Sequence, residues 1–269
     1  MEGGTGMSIE LRHASFRYPD NYLANDDLNL VVEQGESVAI VGQNGAGKTT
    51  AVKMLNGLYR PTKGDVLVDG VNTREKTAAV IGRTVGYVFQ NPDDQIFNQN
   101  VRAEIEYMPR RLKMPEPEMK RRVDRAVELT GLKKYMGKNP FDIPYPIRKF
   151  VTIADVLAME PKYIIFDEPT AGQDKHGTEL LENLLKVLKA EGVGVVTITH
   201  DMEFVARNFD RVVVMAKKRI IADDTAKAVF SNDEVMEQAK LKKPQICQVA
   251  EMAGLGKGIL TIEELVELL

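Results

Sequence analysis

The sequence predicts an α/β fold built on a parallel sheet, with an antiparallel β subdomain in front, an α-helical insertion in the middle and a short helical extension at the end. Two observations carry that expectation. Residues Gly42–Thr50 read GQNGAGKTT, between the apolar β-formers Ser37–Val41 and a helical stretch beginning near Lys48. From about Ile147 onward, helical periods alternate with short apolar runs at Tyr163–Asp167, Val193–Ile198 and Arg211–Met215, the pattern of strands joined by crossover helices.

The elements follow in order. Ile9 and Leu11, then Phe16 and Tyr18, alternate ahead of Leu28–Val32 and read as antiparallel strands turned at Pro19-Asp20 and Gln34-Gly35. The helix after the glycine-rich loop runs to about Asn56 and is ended by Gly57. Pro61–Gly64 turns the chain into Asp65–Val68, and Asp69-Gly70 is a hairpin signal. Val85–Phe89 reads as a buried strand. Val101–Thr130 is helical in period, with interruptions expected at Pro109 and at Pro115/Pro117. Helices are expected from near Ile147 to Met159, from about His176 to Ala190 and from Met202. A strand pair follows at Arg211–Met215 and Arg219–Ala222, and beyond about Thr225 come short helices broken at Pro244 and Gly254-Leu-Gly256.

Composition narrows the class. A chain of 269 residues, 43% hydrophobic and 28% charged, suits one large α/β domain with a small appendage. A net charge of −3 gives no reason to expect nucleic acid as a partner, and the basic run Lys120-Arg121-Arg122 reads as the solvated face of an amphipathic helix. The single cysteine, Cys247, excludes an internal disulfide and fits a reducing compartment. No apolar run approaches the ~18 residues of a membrane span. The opening MEGGTG reads as a tag remnant or an upstream start, with Met7 as the natural beginning.

The loop at Gly42 matches G-x-x-x-x-G-K-[ST] in the strand–loop–helix context that gives the pattern meaning. Gly42, Gly45 and Gly47 let the backbone turn so that successive N–H groups face an anion, and the following helix adds the positive end of its dipole. Gly42, Gln43, Asn44, Gly45, Ala46, Gly47, Lys48, Thr49 and Thr50 therefore form the candidate nucleotide-binding segment. Lys48 would reach the β- and γ-phosphates and Thr49 would ligate Mg²⁺. Tyr163-Ile-Ile-Phe-Asp167-Glu168 places two acids at the carboxyl end of a buried strand, where open α/β sheets bind ligands. Asp167 would hold Mg²⁺, through water, and Glu168 would polarise the attacking water; a plain capped strand end is the alternative. His200, at the end of Thr197–Ile198, is either a satisfied structural histidine or a γ-phosphate sensor. His13 and His176 read as surface or packing residues.

This order of motifs resembles the ATP-binding cassette (ABC) ATPases, the nucleotide-binding subunits of ABC transporters, over about Ile9 to Ala222. Asp167-Glu168-Pro169-Thr170 is similar to the family's Walker B motif with its catalytic glutamate. Ala171–Asp174 lies where the D-loop does, with Gln173 in place of the usual leucine. His200 corresponds to the switch histidine, Gln90 to the Q-loop glutamine that senses Mg²⁺, and Tyr18 to the aromatic residue that stacks on adenine. Asn91-Pro-Asp-Asp-Gln95-Ile-Phe97 looks like the energy-coupling factor group that imports vitamins, cobalt and nickel. The helices after Ala222, with Pro244–Ile246, fit that group's dimer-forming extension.

The resemblance implies an α/β P-loop NTPase core of ABC type over 7–222, a helical subdomain at about 98–160 and a C-terminal extension over 223–269. It implies ATP and Mg²⁺ as cofactors. It also implies a second cassette ATPase, a transmembrane coupling subunit and a substrate-binding membrane subunit as partners, at the cytoplasmic face of a membrane. Nucleic acid is not an expected partner.

One motif departs. The family signature, usually L-S-G-G-Q, should start at Ile143, where this chain reads Ile143-Pro-Tyr-Pro-Ile147. Pro144 replaces the serine and has neither hydroxyl nor N–H, Tyr145 adds bulk, and Pro146 removes another N–H. A charge-assisted hydrogen bond contributes ~1.5–3 kcal/mol, so the loss is chemical. Members of the family pair head to tail, each site joining one chain's Walker motifs to the other's signature. The expectation is thus a heterodimer with one consensus and one degenerate site. A nucleotide-binding regulatory partner with little turnover is the alternative.

Overall fold

Two sheets organise residues 7–268, which a computed structural model describes. The reading of MEGGTG falls outside those residues. The first sheet is antiparallel, in the order β2-β1-β4-β5: β1 (Ser8–Arg17), β2 (Leu23–Glu33), β4 (Lys63–Val68) and the short β5 (Val71–Asn72). The second has the order β10-β9-β3-β8-β7-β6, from β3 (Ser37–Val41), β6 (Val85–Val88), β7 (Tyr163–Asp167), β8 (Gly194–Ile198), β9 (Arg211–Ala216) and β10 (Arg219–Thr225). Strands β9, β3, β8, β7 and β6 run parallel, and β10 closes the edge antiparallel to β9.

The sheet's period of two sorts side chains between two cores. Val38 and Ile40 of β3 join Ile9, Leu11, Leu28 and Leu30 of the antiparallel sheet. That core also takes in helix α1 (Lys48–Leu55), and the one-turn α2 (Ala78–Ile81) adds Ile81. Ala39 and Val41 face the other way. They share a core with α3 (Val101–Arg111), α4 (Glu116–Leu129), α5 (Tyr145–Leu157), α6 (Lys175–Ala190) and α7 (Met202–Asn208). The C-terminal helices are α8 (Ala226–Ser231), α9 (Asp233–Ala239), α10 (Gln245–Met252) and α11 (Ile262–Val266); Phe230, Met236 and Cys247 tie the first three to this second core. The insertion and the extension are thus welded to the sheet that carries the motifs.

One local expectation is corrected. Pro109 does not interrupt α3; it sits in the last turn, where the missing N–H forfeits one bond, and the helix continues to Arg111. The run at Lys120 lies on the outer face of α4, as expected, with Lys120 and Arg121 exposed and Met119 and Val123 buried on the opposite face. Arg121 forks onto both Glu160 oxygens at 2.8 and 3.1 Å, and Arg122 donates to the Met159 carbonyl at 3.0 Å, pinning α4 to the end of α5. Pro115 caps α4 and Pro117 lies in its first turn, where neither proline removes a bond that exists. Among the described residues no helix is long and apolar enough to cross a membrane.

Candidate nucleotide site

The loop between β3 and α1 is shaped by contacts that only glycine permits. Gly42 has φ +152°, and a Cβ there would lie 2.2 Å from the Met215 carbonyl at the end of β9. Gly47 has φ +101°, with Asn25 Nδ2 2.4 Å and the Ala24 carbonyl 2.5 Å from its would-be Cβ. Asn25, fully buried in β2, donates to the Gly47 carbonyl at 3.1 Å. Gly45 faces open space (φ +79°). Among the described residues the N–H groups of Gly45, Gly47, Lys48 and Thr49 have no backbone acceptor, so they remain free for an anion. Lys48, 7% exposed, folds back onto the Gly42 and Gln43 carbonyls at 2.7 and 3.2 Å. Burial lowers its pKa, while Glu168 and Asp167 raise it.

Strand β7 delivers the two acids beside this loop. Asp167 Oδ2 accepts from the Tyr87 hydroxyl at 2.7 Å, and Oδ1 is buried without a partner. Desolvation pushes its carboxyl pKa up against the Tyr87 hydroxyl bond that lowers it. An orphaned carboxylate oxygen next to Thr49 and free loop amides fits Mg²⁺ with a phosphate: Asp167 and Thr49 would hold the ion, which would neutralise phosphate charge. No group of three or more His, Cys, Asp or Glu among the described residues could hold a metal alone, so phosphate and water oxygens would supply the rest. Glu168 stands at φ +49°, rare for a residue with a Cβ. Its Oε2 lies 2.9 Å from His200 Nδ1 and 3.3 Å from the His200 N–H, so the acid and the β8-end histidine form one unit.

A cleft of about 690 Å³ gathers the sequence candidates: Tyr18, Gly42, Gln43, Asn44, Gly45, Gly47, Lys48, Thr49, Thr50, Gln90, Asp167, Glu168 and His200. Ala46 is buried beneath the loop instead of lining the cleft. The Tyr18 hydroxyl sits 3.0 Å from Thr50 Oγ1, and its ring stacks 6.4 Å from Tyr22, a second aromatic at the mouth. His13 instead meets Asp27 on the surface, and His176 is exposed on α6.

Several contacts could not be read from the motifs. Lys240, Leu241 and Lys242 of the C-terminal segment line the cleft. Gln95 accepts from the Phe89 N–H at 3.3 Å and donates to the Thr152 carbonyl and Asp155, both at 3.3 Å, fixing the segment after Gln90 to α5. Arg148 donates to the carbonyls of Pro140, Phe141 and Ile143 (3.0–3.2 Å) and to Asp93 at 2.8 Å. Lys149, buried on α5, reaches beneath Glu168. Asn25 and Tyr87 are ordinary strand residues by sequence, and only pairing across 22 and 80 positions reveals them.

At the N-terminus of α5, Pro144 is the cap without a side-chain bond, and Tyr145 and Pro146 are the first two helical residues. The Ile147 and Arg148 N–H groups both turn to the Pro144 carbonyl (3.0 and 2.9 Å). Among the described residues the Tyr145 N–H has no backbone acceptor.

Comparison with known proteins agrees with this geometry. Residues 25–171 match the ABC transporter family. The chain is 38% identical over 246 residues to the energy-coupling factor transporter ATP-binding protein EcfA of Methanocaldococcus jannaschii, covering 91% of this chain and 88% of that protein. It is 39% identical over 249 residues to EcfA2 of Clostridium perfringens, covering 89% and 87%. A solved structure, cbiO1 of Clostridium perfringens, part of the ABC transporter complex cbiONQ, superposes with a TM-score of 0.78 at 33% identity, covering 91% of this chain and 99% of that one. The chain belongs to the ABC transporter family as an ATP-binding cassette ATPase, similar to energy-coupling factor transporter ATP-binding proteins.

Proposed function

We propose that this chain is one of two unlike ATPases that drive an energy-coupling factor importer. It would pair head to tail with a cassette ATPase whose signature is intact, giving one consensus and one degenerate ATP site. The observation that carries this reading is the α5 N-terminus, where Pro144 and Pro146 leave a single free N–H in place of a glycine-rich phosphate cradle. The Walker half is complete by contrast. A transmembrane coupling subunit and a substrate-binding membrane subunit would complete the assembly at the cytoplasmic face. The chain divides into the ATPase domain 7–222, with its helical subdomain at about 98–160, and the extension 223–269.

In the consensus site the loop amides and Lys48 stabilise charge on the γ-phosphoryl group. Lys48 exchanges the Gly42 and Gln43 carbonyls for phosphate oxygens. Glu168 orients or deprotonates the attacking water, and His200, already bonded to it, holds the γ-phosphate. Thr49, Asp167 and Gln90 would hold Mg²⁺, which when bound neutralises phosphate charge. Tyr18 stacks on adenine, and closure of the dimer is passed on through the segment Gln90–Phe97.

The purified chain should bind MgATP yet hydrolyse it slowly, and turnover should appear once the unlike ATPase is added. Slow turnover in the mixture as well would favour the alternative of a regulatory nucleotide-binding subunit.

A further inference from the structure

Three contacts join the start of α5 to the segment that follows Glu168. The Tyr145 ring lies over Gly172, whose φ is +76° and whose would-be Cβ sits 3.0 Å from the ring. Gln173 Nε2 donates to the Pro146 carbonyl at 3.0 Å, so two departures from the family pattern touch each other. Lys149, with 0% exposure, donates to the Glu168 carbonyl at 2.5 Å and the Ala171 carbonyl at 3.2 Å. Glu168 is held on its other side by its own N–H, which reaches the Ile198 carbonyl at 2.8 Å.

A buried ammonium is an expensive way to fill a helix–strand interface, since an apolar side chain would pack there without desolvating a charge. Lys149 has no carboxylate within ion-pair distance among the described residues, and its hydrogen-bond partners are the two carbonyls. They belong to the strained residue Glu168 and to the turn beyond it. Burial drops the Lys149 pKa to about 8, with Glu168 and Asp167 opposing that fall.

We infer that α5 acts within its own chain: Lys149 is a positioning residue for Glu168, and Tyr145, Pro146 and Gln173 brace the loop Glu168–Asp174. This rests on the reading that Ile143–Ile147 does not serve as a phosphate-binding signature. It gives that segment a task in the same chain's consensus site. The brace fixes the backbone from which Glu168 reaches water, and Tyr145, Pro146, Lys149 and Gln173 do not line the cleft, so it acts on turnover and leaves affinity alone.

The test uses the full chain with Lys149→Met, which keeps reach and volume, and separately Gln173→Leu. Hydrogen exchange over 168–174, measured on the chain alone, should rise about tenfold for Lys149→Met and about threefold for Gln173→Leu. Binding of a fluorescent ATP analogue should stay within about twofold. In the complex co-purified with the tagged chain, kcat should fall by similar factors with KM unchanged. Unaltered exchange at 168–174 in Gln173→Leu overturns the brace, even where Lys149→Met fails to fold. A parallel loss of ATP affinity and kcat overturns the positioning role. The exchange measurement needs no partner, so failure of the heterodimer reading leaves it interpretable.

Discussion

The loop ahead of α1 and the loop ahead of α5 each lead the chain into a helix, yet they differ in how many N–H groups lack a backbone acceptor among the described residues. Ahead of α1, Gly42, Gly45 and Gly47 take positive φ, and the Gly45, Gly47, Lys48 and Thr49 N–H groups have no backbone acceptor among the described residues. Ahead of α5, prolines occupy the cap and the second position, the next two N–H groups fold onto the cap's carbonyl, and Tyr145 covers Gly172. Both helices carry a dipole. What separates them is the supply of free N–H donors and the absence of side-chain bulk around them. The dipole alone does not make a phosphate site.

The sharpest way to break this contrast is to damage the intact loop. Lys48→Ala should weaken MgATP binding about a hundredfold or more, measured by titration calorimetry, because a charge-assisted phosphate contact is lost at a desolvated site. Glu168→Gln should leave that binding intact while lowering turnover in the assembled complex about 10²–10⁴-fold, the range for removing a general base. A smaller effect is expected of Gly47→Ala. The new methyl meets Asn25 and the Ala24 carbonyl, so the variant should lose about 1–3 kcal/mol of stability in denaturant unfolding and bind ATP less tightly.

The last prediction concerns pH. Burial raises the Asp155 carboxyl to about 7 against the Gln95 bond that lowers it. The folded state therefore holds a proton that the unfolded chain releases near pH 4. Stability from this group is full below that value and falls by up to ~1.4 kcal/mol per pH unit as pH rises toward 7. Asp155→Asn should flatten stability against pH between about 4 and 7, and an unchanged slope would remove Asp155 from the account.

The contrast also marks how far the sequence could be read. The Gly42–Thr50 loop, Asp167, Glu168 and His200 could be picked out as candidates by residue type at a strand end, and Gln90 by its resemblance to the family's Q-loop glutamine. They meet in one cleft. Asn25, Tyr87 and Lys149 were not legible, because their roles come from neighbours 22, 80 and 19 positions away that only the fold assembles. The Lys240–Lys242 segment was likewise hidden: short helices after Ala222 could be counted, but not their return to the cleft. Pro109 misled for a local reason, since a proline in the last helical turn removes little.

The central claim is that this chain brings an intact Walker half and no working signature. Restoring the cradle tests it most directly, by measuring steady-state ATP hydrolysis of the purified chain alone before and after the combined change Pro144→Ser, Tyr145→Gly and Pro146→Gly. The account predicts a rate near background for the unaltered chain and a rise of about tenfold or more in the variant, cancelled by Glu168→Gln. Brisk, cooperative hydrolysis by the unaltered chain alone, abolished by Glu168→Gln, would contradict it.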